Sequence, residues 1–494
     1  MRTGLLKGFC GALLGIAMGA SGGRAACAAT LPANEPRLAP EQLRADFAQM
    51  YRGLQAAHFD LSAFTPKPKL DRGYAQVLEK IDRPMTRLEA KILFELFAAQ
   101  VRMGHTRVDS PTPEWNAYRK NGGKGFPLSI RIVDDRVYVA GNLSGLDAIR
   151  PGDEITRLNG QAMRSWLERT ERHVSAETSY MAHSLMEYDF AIYLWVELGA
   201  VDAFDIVTRR SNSPAQSTHL PARSSEEMEA ARRLQPPGLD LESPLREAKL
   251  LDGVAYLRPG PFYNAEAKTG ADEWDVSGFR QFIDHAFDEF IEARATRLVI
   301  DLRGNPGGDN LFSDVMVAWF ATRPFRFASQ FKIKVSEESV AANAARIADD
   351  ADAAGPISRQ FADLYGRSRI GEVVDFAIPE AAPRAGTRFE GKVFVLIDRQ
   401  SYSNAVAVAA LVQDYRFGTI VGEATSDMAT TYGAMEQFTL QHTGLKVGYP
   451  KARLVRPNGD LRARGVTPDF AITVPILQSP GDEVLQQAIA IARR

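Results

Sequence analysis

The stretch that most constrains the fold is Leu298–Asn310, LVIDLRGNPGGDN. Leu298, Val299, Ile300 and Leu302 form the short apolar run of a strand covered on both faces. Asp301, Arg303 and Asn305 interrupt that run, so their polar groups must be paired or functional. Gly304, Gly307 and Gly308 then allow a turn at positive φ with no Cβ to keep a ligand away. Amide N–H groups presented at such a turn can hold a developing oxyanion. A strand closed by a Pro-Gly turn would account for part of this. The three glycines exceed what a turn requires, and the segment reads as one half of an active site.

The second half follows a second buried strand, Val393–Ile397. The chain runs Asp398-Arg399-Gln400-Ser401-Tyr402-Ser403-Asn404 and then a small-residue helix from Ala405 to Gln413. A serine at a strand-to-helix junction lies beside free amides and the positive end of the helix dipole, which favour an oxyanion. Serine is also a preferred N-cap with no chemistry attached. Strands alternating with helices from Lys249 onward (the helix Asp275–Ala293 among them, with a helical excursion over Ser336–Phe376) imply an α/β core.

Upstream, Glu41–Ala57 and Thr86–Met103 carry Leu43, Phe47, Met50, Leu54 and then Leu88, Ile92, Leu93, Leu96, Phe97 at helical spacing. They predict a small helical domain over 41–110, ending in Gly104-His105-Thr106-Arg107-Val108. Beyond the glycine-rich Asn121–Gly125 come strand-like Phe126–Ile132 and Arg136–Ala140, then RPGDEITRLNG (Arg150–Gly160). That order resembles a PDZ domain, expected over 121–223, with Phe204–Val207 closing it after helical residues around Ser165–Leu198. A generic β-rich domain is the alternative. In a PDZ domain the carboxylate-binding loop would fall at Gly125-Phe126-Pro127-Leu128, so Gly125, Phe126 and Leu128 are the expected peptide-binding residues. Polar, Pro-containing Ser211–Pro244 is expected to be a linker.

The N-terminus reads as an export signal over 1–28. Arg2 and Lys7 precede apolar Phe9–Ala20, and Ala26-Cys27-Ala28 fits a small-residue cleavage site. Cys27 also admits lipoprotein anchoring, which Arg24 disfavours. The chain's 2 cysteines, Cys10 and Cys27, both lie there. A mature periplasmic or secreted chain would then have neither disulfides nor thiol chemistry. With Lys+Arg 59 against Asp+Glu 61, nothing argues for nucleic acid. No long apolar run after the N-terminus suggests a membrane span. The remaining histidines lack metal-ligand spacing and no Lys-Ser/Thr follows GNPGG, so neither a metal nor a phosphate-binding loop is expected.

LVIDLRGNPGG, VFVLIDRQSYSNAVAVAALV, IVGEAT (Ile420–Thr425) and GVTPD (Gly465–Asp469) occur in that order. The series resembles the carboxyl-terminal processing (tail-specific) serine proteases, in the branch similar to the tricorn protease core. The resemblance spans about Glu41 to the C-terminus. It implies a crotonase- and ClpP-like α/β core over 245–494, the helical domain in front, and the PDZ-like domain beside the cleft. It implies an exported serine endopeptidase acting on polypeptides selected by their C-termini, without a cofactor. The nucleophile falls on Ser403, in [ST]-[FY]-S, with Ser401 as fallback. The oxyanion donors fall on the amides of Asn404 and Gly307, with Gly308 close behind. The family's lysine base would fall near Met428, which cannot take a proton. The tricorn-like branch instead uses a histidine in a GHT-like segment, matched by His105. A lone histidine is more often structural, as expected for His58; the GHT placement raises His105 above that. The branch's orienting carboxylate would fall on Arg462, leaving Asp460 or another acid to substitute. A catalytically impaired peptide-binding protein on the same fold is the alternative that Met428 and Arg462 support.

Overall fold

The computed structural model describes residues 35–211, 213–234, 245–268, 272–349, 356–476 and 481–494. The expected signal segment, with Cys10 and Cys27, lies outside the described residues. No helix among the described residues is long and apolar enough to cross a membrane.

A six-stranded sheet forms the centre. Its order is Glu247–Leu251, Val254–Arg258, Arg297–Asp301, Lys392–Ile397, Thr419–Gly422 and Phe470–Ala471, parallel except for the first hairpin. Alternation along the strands sorts side chains between two cores. Leu298, Ile300, Val393, Val395 and Ile397 join helices Ser277–Glu292 and Asn404–Tyr415 on one face. Val299, Phe394 and Leu396 meet helix Glu483–Ala492 on the other. Both faces are covered, which is why these strands read as unbroken apolar runs.

The charges inside Leu298–Asn310 are paired. Arg303 Nη2 donates to Asp301 Oδ2 at 2.7 Å and to Asp482 Oδ2 at 2.6 Å, and Tyr256 Oη donates to Asp301. Burial alone would push the Asp301 carboxyl up; the Arg303 guanidinium outweighs it and holds the group below its ordinary value. Asp482 caps the last helix by accepting from Leu485 N–H. This triad fastens the central strand to the C-terminal helix.

A second sheet runs Val373–Asp375, Gln330–Lys334, Lys446–Val455 and Thr431–Thr439, all antiparallel. Within 336–376 lie the helices Glu337–Asp349 and Pro356–Gly366 and then the first of these strands. The tip of the hairpin Thr431–Thr439/Lys446–Val455 packs into the helical domain, where Leu440, Leu445, Val447 and Tyr449 share a core with Leu43, Phe47, Met50 and Phe97. Buried Asp46, on helix Pro40–Ala57, accepts from the turn amides of His442 and Thr443 at 2.9 and 2.6 Å. Gly53 leaves room for Phe438, whose ring would lie 2.5 Å from a Cβ there.

The β-rich domain has the order Leu128–Val133, Arg136–Asn142, Glu154–Leu158, Ala203–Arg209, Gln216–Pro221. Helices Met163–Glu171 and Ser179–Leu198 interrupt it. Two expectations change here. Part of the anticipated linker is the strand Gln216–Pro221 and the helix Ser225–Arg233. The strand is at a sheet edge with only Leu220 fully buried, so its polar residues carried no apolar alternation. The presumed peptide loop is also closed. Gly125 exchanges backbone hydrogen bonds with Arg223 (2.9 and 3.0 Å), and Phe126 and Leu128 are core residues. Gly125 N–H is therefore unavailable to a peptide carboxylate in this state.

Candidate active site

Two loops at the carboxyl ends of adjacent parallel strands build the centre. Asn305 clasps them together. Its Nδ2 donates to Gly260 O at 2.8 Å, its Oδ1 accepts from Gly307 N–H at 2.8 Å, and its carbonyl accepts from Tyr402 N–H at 2.9 Å. Gly307 (φ 87°) then lies against the serine loop so closely that a Cβ would be 2.6 Å from Asn404 N and 2.7 Å from Tyr402 O. Gly308 (φ 137°) is pressed onto the Phe262 carbonyl in the same way.

Ser403 has φ 52° and ψ −119°, unusual for a residue with a Cβ. It precedes helix Asn404–Tyr415, and its side chain makes no cap hydrogen bond. Ser401 is different: fully buried, its Oγ donates to Leu302 O at 2.7 Å and accepts from Asp398 N–H. Its hydroxyl is spent on holding the loop, so the fallback nucleophile is a structural residue here.

The free amides lie close by. Asn404 N–H is the first donor of its helix and makes no hydrogen bond to a described residue, as expected at such an end. Gly307 N–H is taken by Asn305 Oδ1. Gly308 N–H makes no hydrogen bond to a described residue. The turn therefore offers Gly308, rather than the expected Gly307, as its open donor.

His105 reaches this centre through the second sheet. Arg107–Val108 pairs with Gly448 and Val447 of the hairpin, which fixes the chain just before it. The imidazole is buried and stacks on Tyr402, with ring centroids 5.4 Å apart at 26°. No hydrogen bond joins it to Ser403, and its Nδ1 is buried without a partner. Burial pushes its pKa down, Asp427 pulls it back up, and Arg107 lowers it further. A neutral ring near pH 7 is the form that can accept a proton.

Sequence reasoning missed Asp427. Its Oδ2 accepts from Ser403 N–H at 2.7 Å and its Oδ1 from Met428 N–H at 2.7 Å. The GVTPD motif secures that segment: Thr425 N–H bonds to Val466 O, Val466 N–H to Thr425 Oγ1, and Gly465 has no room for a Cβ against Thr425 O. Glu177 is missed as well. It accepts from Gly104 N–H at 3.1 Å, and burial, then the Asp427 charge, push its carboxyl up to about 7. Asp460 does not fill the vacant acid position. Its carboxylate is chelated by Arg462 and Arg464 on an exposed segment, and these arginines hold its pKa down.

His58 supports His105 from behind. Its Nδ1 accepts from Asp60 N–H at 3.1 Å, which leaves Nε2–H to donate to Thr106 Oγ1 at 2.9 Å. Burial, reinforced by Lys334, pushes its pKa down to about 3, so the ring is a neutral strut. Replacing His58 by Ala leaves a cavity and an unpaired buried hydroxyl. A stability loss of about 2–4 kcal/mol follows, with Gln partly restoring it, measurable by denaturant unfolding. Because the folded pKa lies below the unfolded 6.5, the unfolded chain takes up the proton first. Wild-type stability therefore falls as pH drops from 6.5 towards 3, and the Gln variant loses part of that slope.

A buried ion cluster locks the β-rich domain onto the serine loop. Arg399 donates to Glu423 (2.9 Å) and Glu187 (3.1 Å), and Arg131 donates to both glutamates at 3.1–3.2 Å. The outer edge of strand Leu128–Val133 is engaged too. Ile132 N–H donates to Glu187 Oε1, and Arg399 Nη1 donates to Ile132 O. No group of His, Cys, Asp and Glu among the described residues could hold a metal ion.

Comparison with known proteins bears on this geometry. Residues 263–472 match the model of peptidase family S41. Mature CPAF complexed with lactacystin superposes with TM-score 0.63 at 14% identity, covering 92% of this chain and 98% of that one. Mature CPAF gives TM-score 0.62 at 14% identity, over 92% and 97%. The photosystem II D1 C-terminal processing protease matches at TM-score 0.42 and 16% identity, over 87% and 93%. No curated protein matches the sequence. At these identities the first two show a shared fold along nearly the whole chain.

Proposed function

We propose that Ser403 is the nucleophile and His105 the base of this serine-type peptidase, whose residues 263–472 match peptidase family S41 and which acts on polypeptides. Ser403 Oγ adds to the scissile carbonyl while its proton passes to His105. The Asn404 and Gly308 amides hold the resulting oxyanion. The imidazolium protonates the departing amine as the C–N bond breaks, and water then hydrolyses the acyl-enzyme by the same route. The observation that carries this reading is Ser403 itself, held at φ 52° beside an unbonded helix-terminal amide. Strain of that kind is maintained by the surrounding bonds from Asp427 and Asn305 and has no evident structural purpose. The missing His105–Ser403 bond is compatible with catalysis, because such bonds commonly tighten only when substrate is present.

Export to the periplasm or beyond is part of the proposal, resting on Arg2, Lys7 and the apolar Phe9–Ala20. Selection of substrates by their C-termini rests on the edge strand Leu128–Val133 beside helix Ser179–Leu198, an arrangement suited to strand addition. With Gly125 bonded to Arg223 and the Ile132 N–H and carbonyl bonded to Glu187 and Arg399, a peptide would use the strand edge before Ile132 rather than the Gly125 amide.

A serine-directed fluorophosphonate tests the assignment. Wild type should label with one equivalent and Ser403→Ala not at all, with Ser401→Ala still labelled if folded. Folded wild type that neither labels nor cleaves unstructured polypeptides would replace this reading by the peptide-binding alternative.

A further inference from the structure

The assignment of Ser403 and His105 leaves the imidazole without an acid, and the inference here rests on that assignment. The position where the sequence pattern expects a carboxylate is Arg462, whose side chain is 70% exposed and bound to Asp460. Nδ1 of His105 is sealed from solvent without a partner. The groups that act electrostatically on the His105 and Tyr402 rings are Asp427, Glu177 and Arg107.

Asp427 stands apart from the other two. Arg107 has the wrong sign and is exposed. Glu177 holds the Gly104 amide, and its raised pKa makes it the acid that retains a proton near neutrality. Two carboxylates in one dry pocket repel, and the Asp427 charge is the second cause, after burial, of the rise at Glu177. Asp427 is fully buried and, among the described residues, accepts two backbone amides. A carboxylate has about four acceptor positions, so half remain open. One of the two amides belongs to the nucleophile itself. Asp427 and His105 thus flank the Tyr402–Ser403 pair from two sides, one bonded to its backbone and one stacked on its ring.

We propose that Asp427 is the positioning acid of this site, fixing the Ser403 backbone through its amide and supplying the negative charge against which the His105 imidazolium forms. The acid has moved along the chain, from the exposed segment before GVTPD to the buried loop after VGEAT. The proton still travels only from Ser403 Oγ to His105 and on to the leaving amine.

Asp427→Asn tests this, because the amide side chain keeps an acceptor for Ser403 N–H while removing the charge. The readouts are kcat/KM against pH, fluorophosphonate labelling rate and thermal unfolding. The variant should lose about 10²–10³-fold in kcat/KM, the scale of one preorganised electrostatic contact. Its acid limb should move to lower pH, since the charge that raised the His105 pKa is gone. A folded variant that loses rate without moving its limb would mark Asp427 as merely structural and overturn the proposal. An unchanged rate would do the same. Should Asp427→Asn fail to fold, Asp427→Glu decides: a wild-type limb with reduced kcat supports the proposal, and a displaced limb overturns it. Persistent labelling of Ser403→Ala would instead defeat the underlying assignment of the nucleophile.

Discussion

His105→Gln is expected to abolish turnover on any polypeptide substrate, with kcat/KM falling by about 10⁴-fold or more. Single losses from a nucleophile–base unit remove nearly the whole advantage of the unit. The ring stacks on Tyr402 and sits on a segment held by His58 and by the strand Arg107–Val108. Glutamine fills much of that space, so the fold should survive and the loss can be read as chemistry. In wild type the same residue sets the acid limb of the pH profile. Burial, partly offset by Asp427, places the His105 pKa below 6.5. Activity should therefore hold at neutral pH and fall only as pH drops through that lowered value. A single-turnover assay across pH checks both points. A limb above pH 7, or a His105→Gln variant within tenfold of wild type, would remove His105 from the mechanism.

The catalytic half of the molecule was legible where function and packing impose the same residues. LVIDLRGNPGG encodes a doubly covered strand and a turn that only glycine permits, and the polar interruptions proved to be the Asp301–Arg303–Asp482 triad. The serine loop was equally plain from Ser401-Tyr402-Ser403. What stayed hidden depends on register between distant segments. Strand Lys446–Val455 is buried along nearly its whole length, so it shows no alternation to mark it. Yet that strand brings residue 105 to residue 403. Asp427 likewise became visible only when the contact between Thr425 and Val466 placed it under Ser403. A buried acid in a loop carries no signature of its own. The choice between Gly307 and Gly308 was beyond sequence for a similar reason, since it turns on one side-chain bond from Asn305.

These same contacts explain how a site assembled from separate parts can be rigid. The helical domain reaches the core through Asp46 on the hairpin turn and through Phe59 N–H on the Pro450 carbonyl. The β-rich domain reaches it through Arg399, four residues before Ser403. In each case buried polar groups fix one geometry, whereas apolar contact alone tolerates sliding. Each domain meets the centre at a loop adjoining a residue proposed as catalytic.

Gly307→Ala should be a severely damaging single-methyl change. The added Cβ would lie 2.6 Å from Asn404 N, 2.7 Å from Tyr402 O and 2.9 Å from Ser403 Cβ. Two of these are backbone atoms, which cannot rotate away. The residue also sits at φ 87°, where a Cβ costs about 1–2 kcal/mol before any clash. Relief requires the glycine turn and the serine loop to separate by several tenths of an ångström. That movement breaks the geometry between Ser403 Oγ and both candidate donors. A displacement of about 1 Å costs roughly 10²-fold, and loss of an oxyanion donor about 10²–10³-fold. The expected result is a fall in kcat/KM of about 10³-fold or more with a modest loss of thermal stability. Gly278→Ala provides the control. It lies in helix Ser277–Glu292, its Cβ would meet nothing within 4 Å, and alanine there should leave activity unchanged. Should Gly307→Ala retain near-wild-type kcat/KM, the close approach of the two loops would not be what positions the nucleophile.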